Sequence, residues 1–342
     1  MREYKTPEQE RRRPMSGHEH WLGKPYYSLD AYCRHTYGEK LYKIALNAGL
    51  TCPNRDGTLD TRGCIFCHAG GSGDFAVDMK AFPSVAAQLA EGRKLFTCKK
   101  ISGENAGSHY IAYFQAYTNT YGPAAYLRQI YGDALAEHTV RGISIATRPD
   151  CITEETLTIL VDLKERFPDK FVWIELGLQT IHEKTSQYIR RGYALPCFDN
   201  TVRLLRAASI PVIVHVIIGL PGESERDVLK TIDYLNQSGI WGVKLQLLHI
   251  LKGTDLEELY QKGAVSVLSK EEYLHILIRC LERLSPETVV HRLTGDGARD
   301  LLLAPLWSLR KKDVLNSLHH EMSVRQTFQG RLLQQNERKY ET

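Results

Sequence analysis

Three of the eight cysteines, Cys52, Cys64 and Cys67, fall within sixteen positions as C-x11-C-x2-C. A C-x2-C pair brings two thiolates onto one metal centre, and Cys52 returns from across the loop. Thiolates are soft ligands that select zinc, copper(I) or iron–sulfur clusters. Pro53, Gly57 and Gly63 punctuate the run and no long apolar stretch crosses it, so it reads as a loop. Three ligands without an obvious fourth suggest a centre with one open coordination position. His68-Ala69-Gly70-Gly71-Ser72-Gly73-Asp74 follows directly. Its small residues let backbone approach a ligand, and consecutive N–H groups can form an anion nest.

The chain has 342 residues, 43% hydrophobic and 25% charged, an ordinary globular composition. That length allows two domains or one long α/β barrel. No stretch reaches ~18 uninterrupted apolar residues, so no spanning helix is expected. The N-terminus has no apolar core behind its charges, unlike a secretory signal. The expected location is the cytoplasm, where thiols stay free or bind metal. Net charge is +4, and the basic residues gather at the ends. Arg11, Arg12 and Arg13 open the chain; Arg310, Lys311, Lys312, Arg325, Arg331, Arg338 and Lys339 close it. Basic ends can bind phosphate backbones; they can equally be solvated surface.

The elements that must position the cysteines alternate in type. Strands are expected at Leu41–Leu46, His109–Phe114, Gly142–Ala146, Phe171–Leu176, Val212–Ile218 and Gly242–His249, with a seventh candidate at Thr288–Arg292. Helices are expected at Pro83–Lys99, Ala124–Glu137, Glu154–Phe167 (with Thr153 as N-cap), Asp199–Ala208, Glu223–Ser238 and Lys270–Leu284. Val212–Ile218 is nearly all apolar, as in a parallel sheet covered on both faces. Repeated βα units specify parallel strands with right-handed crossovers. The expected fold class is therefore α/β, a partial (βα)6 TIM-type barrel with N- and C-terminal extensions. Active sites of such barrels lie where strands end, and the cysteine loop follows the first strand.

Polar residues at the strand ends look like ligand contacts. Gln115, Tyr117 and Asn119 follow the second strand, and Arg148, Asp150 and Cys151 the third. Glu175 and Gln179 lie on or after the fourth. His215 is in the fifth, which runs into Gly219-Leu220-Pro221-Gly222-Glu223. The sixth carries Gln246 and His249, then Lys252. Such groups are rarely buried unless paired. At five strand ends in succession, a binding crevice is a better reading than sheet capping.

Together these motifs resemble the radical S-adenosylmethionine (SAM) superfamily. Its commonest spacing is C-x3-C-x2-C; the eleven-residue spacer here is instead similar to the Elongator-catalytic-subunit-like branch. Thr-Cys-Pro-Asn-Arg-Asp-Gly at 51–57, Ala-Thr-Arg-Pro-Asp at 146–150, Glu-Leu-Gly-Leu-Gln-Thr at 175–180 and His-Arg-Leu-Thr-Gly-Asp-Gly at 291–297 resemble the YhcC/YtqA group within it. The likeness runs from about residue 20 to 310, and the Elongator subunit's acetyltransferase domain has no counterpart in the rest. On this likeness, residues 25–295 form a radical SAM core, 1–24 a polar extension and 296–342 a basic extension.

The resemblance implies a [4Fe–4S] cluster on Cys52, Cys64 and Cys67, whose open iron takes SAM. Reductive cleavage of SAM then yields a 5′-deoxyadenosyl radical that removes a hydrogen atom from substrate. Carried over by strand position, Gln115 with Gly70 and Gly71 would touch the methionine end. Arg148 would pair its carboxylate. Glu175 and Gln179 would meet the ribose, and His215 with Gly219, Leu220 and Gly222 the adenine. Phe66 would shield the cluster. Substrate contacts are expected from Tyr117, Asn119, His249, Lys252, Arg292 and Asp296. YtqA-type members convert a carboxymethylaminomethyl side chain at C5 of the tRNA wobble uridine to aminomethyl. The implied partners are therefore tRNA and a reductant such as flavodoxin or ferredoxin, with no membrane. The alternatives are a radical SAM enzyme on a small molecule or protein side chain, and a non-enzymatic Fe–S or zinc protein with His68 as fourth ligand. Cys151 is the one further thiol to suspect of a part. Cys33, Cys98, Cys197 and Cys280 read as isolated, and Arg190 and Arg191 as the end of a helix before Gly192.

Overall fold

The computed structural model describes residues 18–71, 73, 75–97, 109–295 and 297–333. The elements run α1 (Leu29–Tyr37), β1 (Tyr42–Leu46), α2 (Val85–Thr97), β2 (Tyr110–Phe114), α3 (Ala124–Ala136), β3 (Val140–Thr147), α4 (Glu154–Arg166) and β4 (Phe171–Gln179). Then come α5 (Glu183–Tyr188), α6 (Leu195–Ala207), β5 (Val212–Ile218), α7 (Glu225–Ser238), β6 (Gly242–Leu247), β7 (Ile250–Leu251) and α8 (Asp255–Gln261). The last are α9 (Lys270–Arg283), β8 (Val289–Arg292), β9 (Leu302–Ala304) and α10 (Lys311–Val324).

Seven strands form one parallel sheet in the order β1-β2-β3-β4-β5-β6-β8. It is a curled, partial TIM-type barrel, with the seventh strand present. Six of the seven residues of β5 are buried, as the apolar run requires. Thr153 caps α4, accepting the Thr156 N–H at 3.1 Å. Capping boxes start α7 at Ser224 and α9 at Ser269. The main core lies between sheet and helices, and α10 joins it through Val314, Leu318 and Met322.

The base of the barrel is closed by aromatics. Phe171 stacks on Trp173 with centroids 3.8 Å apart, and Trp241 packs on Trp173 at 4.6 Å. The two edges, β1 and β8, leave a lateral slot, bridged at its base by Ser28 and Val290. Gln329 ties the chain ends there: it accepts the Tyr27 N–H at 2.9 Å and donates to Ser285 O and Thr288 O at 2.6 and 2.8 Å. Trp21 is fully buried and stacks on Tyr27, so the end of the polar leader is docked.

Four helices (α1, α5, α8 and α10) and the antiparallel β7–β9 pair add to the expected elements. Helix α6 starts at Leu195, ahead of the expected Asp199, because Pro196 fits a first helical turn. Of the basic C-terminal residues, Arg325 pairs with Glu321 at 3.2 Å and Arg331 with Glu282 at 3.1 Å. Arg310, Lys311 and Lys312 are exposed. Arg11, Arg12, Arg13, Arg338 and Lys339 lie outside the described residues.

Candidate active site

The cysteine loop folds on itself before it meets the barrel. Cys52 O accepts the N–H groups of Arg55 and Asp56 at 2.8 and 3.2 Å, and Cys64 O accepts the Cys67 N–H at 2.9 Å. Arg55 donates to Cys67 O and, at 3.0 Å, to His68 O, closing the loop end to end. Gly63 is needed beside it: its φ is +76°, and a Cβ there would lie 2.9 Å from Arg55 Nε.

The turn after α5 then clasps the loop. Asn54 Nδ2 donates to Arg190 O at 2.8 Å, and Ile65 N to Ile189 O at 3.2 Å. Arg190 Nε donates to Gly63 O at 2.9 Å, while its guanidinium pairs with Asp255 at 2.5 Å. Arg191 donates to Leu178 O and Thr180 O at 3.0 and 2.7 Å, tying the same turn to the end of β4. The two arginines are thus braces across the loop and not merely a helix end. Burial pushes the Cys64 thiol up to about 12, so forming a thiolate there calls for a metal or a cation.

All three thiols line a cavity of about 250 Å³ inside the barrel mouth. Phe66, Gly71, Gln115, Tyr117, Arg148, Glu175, Gln179, His215, His249 and Arg292 share its wall. Tyr117 has a φ of +60° and its N–H reaches Gly71 O at 2.7 Å. The Tyr117 ring occupies the space a Gly71 Cβ would need.

Several of the expected contacts are engaged within the chain or are absent from the cavity lining. The anion nest is closed: Gly70 N–H goes to His68 Nδ1 at 3.2 Å, Gly71 N–H to His68 O at 2.9 Å and Gly73 N–H to Gly70 O at 2.9 Å. Arg148 reaches the cavity, but its fork holds Asp150 at 2.9 and 2.7 Å. Asn119 is fully buried, donating to Phe114 O and Ala146 O at 3.1 and 2.9 Å, so it laces β2 to β3. Gly219, Leu220 and Gly222 are not among the residues lining the cavity. Both glycines have positive φ, and Leu220 is buried with Ile65, Ile189, Ile217 and Leu256 under the cysteine loop. Glu223 accepts from Thr180 Oγ1 at 2.5 Å, joining this turn to β4. Lys252 is exposed, and Asp296 and Cys98 lie outside the described residues. Cys151 is buried beside a different groove, with Pro53, Leu59 and Tyr121, and burial pushes its thiol up to about 12.

Below the cavity wall sits a charge cluster that the strand-end reading largely missed. Glu175 is fully buried and surrounded by polar partners: Lys43 Nζ lies at 2.6 Å, His215 Nε2 at 2.7 Å and Ser144 Oγ at 2.5 Å, with Lys244 in contact as well. Burial opposes its ionisation, yet Lys244, Lys43 and His215 hold the carboxyl well below its ordinary range. One carboxylate does not satisfy two ammonium groups. Burial, with Lys43 and Arg292, accordingly drives Lys244 well below its ordinary value against the pull of Glu175. Burial and Lys244 push His215 down to about 4, so it is a neutral partner at pH 7. The parallel register explains the grouping: His215 pairs with Lys244, and Lys244 with Arg292.

Fold and site define a class: partial-barrel proteins with three thiols at the mouth of an internal polar cavity. The model of the Radical SAM superfamily matches residues 61–235, and that of the Radical_SAM C-terminal domain residues 240–323. The chain belongs to the radical SAM superfamily and to its Elp3-like branch. It is 40% identical over 311 residues to YtqA of Bacillus subtilis (strain 168), covering 91% of this chain and 94% of that one. It is 36% identical over 271 residues to YhcC of Escherichia coli (strain K12), covering 79% and 84%. Among solved structures, the archaeal Methanocaldococcus infernus Elp3 superposes with a TM-score of 0.61 at 15% identity, over 83% of this chain and 63% of that one. That last likeness shows the fold alone. Among the described residues no helix is long and apolar enough to cross a membrane.

Family membership implies a [4Fe–4S] cluster and SAM, and the residues present fit both. Among the described residues, no three His, Cys, Asp or Glu side chains converge on a point that one metal ion could fill. Three thiols spread around one cavity suit a cluster, where each iron takes one thiolate, and not a single zinc with His68. Gln179 is among the residues lining the same cavity, and its Oε1 is buried without a hydrogen-bond partner among the described residues. It is set to accept from a hydroxyl or an amine.

Proposed function

We propose that this chain is a radical SAM enzyme that acts on the C5 side chain of the tRNA wobble uridine, converting carboxymethylaminomethyl to aminomethyl. The observation that carries the reading is the single cavity with thiols at its mouth and a charged floor. Cys52, Cys64 and Cys67 would hold the cluster. Bound there with SAM, it supplies a carbon-centred radical from an electron delivered by a reductant such as flavodoxin or ferredoxin. Gln115, Gln179 and His215 would orient SAM, and Phe66 would exclude water. Tyr117, His249 and Arg292 would meet the base splayed into the barrel, as single-stranded bases are in RNA recognition. Exposed Arg310, Lys311 and Lys312 suit contact with phosphate. Residues 25–295 would form the catalytic core, with the flanking segments docked on it through Trp21 and Gln329.

The test is nucleoside analysis of tRNA from a deletion strain and from the same strain carrying the gene. Loss of aminomethyl-derived wobble uridines with accumulation of the carboxymethylaminomethyl form supports the reading. Unchanged nucleosides overturn it.

A further inference from the structure

Two openings of the barrel meet at the same side chains. The cavity under the cysteine loop and the lateral slot between β1 and β8 share Lys244 and Arg292 in their walls. Among the described residues lining the inner cavity, Glu175 is the one carboxylate. The slot adds Lys40, Lys43 and Lys311 against Asp30. Lys244 is nearly buried, 3% exposed along its side chain. A lysine has three donors; two meet Glu175 and, at 3.1 Å, the Tyr113 hydroxyl. Lys244 itself lines both the inner cavity and the slot. A buried ammonium is costly without a counter-charge, and Glu175 is shared with Lys43.

From this we infer that Lys244, with Lys43 and Arg292 beside it, forms a seat for the carboxylate end of the substrate. A carboxylate fits better than a phosphodiester because Lys244 is buried at the floor of the cavity, 3% exposed, where a side-chain end can reach and a continuous RNA backbone cannot. A bound carboxylate favours the protonated form of Lys244, the state that burial otherwise opposes. It also sets selectivity: a neutral side chain would leave the seat short of negative charge. This deepens the uridine reading and rests on it for the identity of the ligand, though the anion seat itself does not.

Two arms separate the seat from the uridine. In the first, the cluster-loaded protein is melted in sodium acetate and in sodium chloride of equal ionic strength and pH. Acetate at about ten times its dissociation constant should raise the wild-type Tm by about 2 °C, with no rise for Lys244→Met. Lys43→Gln, at a partly exposed position, should show a reduced rise and serves if Lys244→Met fails to fold. Equal responses in wild type and variants overturn the seat. In the second arm, two anticodon stem-loop RNAs differ only in carrying the wobble carboxymethylaminomethyl group or its methyl ester. Wild type should prefer the acid at least about tenfold, the size of one 1.4 kcal/mol interaction, and Lys244→Met should prefer neither. Binding of both RNAs without preference overturns the assignment of the seat to this side chain. Binding of neither RNA overturns the uridine reading, while the acetate result still decides the seat. A tenfold loss of SAM affinity in Lys244→Met would assign the seat to SAM's own carboxylate and overturn it for substrate.

Discussion

At the rim, the cysteine loop is held by backbone hydrogen bonds and by arginines that reach carbonyl oxygens: Arg55 to Cys67 and His68, Arg190 to Gly63. At the floor, fully buried Glu175 is held by the nearly buried Lys244 and by Lys43 and His215, which are partly buried. The rim can lose its thiols without leaving a charge buried, whereas the floor cannot lose one member without stranding another. The rim should therefore decide whether a cluster binds, and the floor whether the barrel stands.

The largest effect tests the rim. Cys64→Ala should lower bound iron after anaerobic reconstitution from about four per chain to near zero, abolish release of 5′-deoxyadenosine, and leave the melting curve of the metal-free protein nearly unchanged. Next is the floor. Glu175→Gln strands Lys43 and Lys244 and should destabilise by about 3–5 kcal/mol in urea unfolding; a change below about 1 kcal/mol would show that the cluster is solvated and the contrast with the rim misplaced.

His215 gives the floor a pH dependence. Its folded pKa, about 4, lies below the ordinary 6.5, so the unfolded chain binds its proton first as pH falls. Stability from this group is complete above pH 6.5 and is lost between 6.5 and about 4, by at most about 3 kcal/mol. His215→Gln, which still donates to Glu175, should flatten that limb in melting curves across this range. Smaller again, Arg190→Ala removes the contacts with Gly63 and Asp255 and should cost about 1–2 kcal/mol; it should also speed iron loss to a chelator, which no floor substitution should do at constant stability. Smallest, Thr153→Ala uncaps α4 for about 1 kcal/mol, with iron content unaffected.

The same contrast governs what could be read from sequence. The rim was legible because its thiols lie within one short loop with a diagnostic spacing. So was the barrel, because strand and helix patterns alternate along the chain; the strand Val212–Ile218, nearly all apolar, was placed to the residue. The clasp of the loop by residues 189–191 was not legible, since Asn54 and Arg190 meet only through the tertiary fold. The floor was half legible. Glu175 and His215 drew notice as polar residues on apolar strands, but Lys43 and Lys244 did not, because each gains meaning only from its neighbour across the register. Asn119 and the Gly219–Gly222 turn also serve the fold itself. An amide that laces two strands and glycines that permit positive φ look, in sequence, like ligand contacts.

The measurement that bears most directly on the whole account is an anaerobic reaction of the reconstituted, reduced protein with SAM and tRNA from the deletion strain, read by mass spectrometry of both products. The account predicts 5′-deoxyadenosine together with conversion of wobble carboxymethylaminomethyluridine to aminomethyluridine, both absent with Cys64→Ala. Release of 5′-deoxyadenosine while every tRNA nucleoside keeps its mass would contradict the assigned substrate. No release from protein carrying its full iron would contradict the radical chemistry itself.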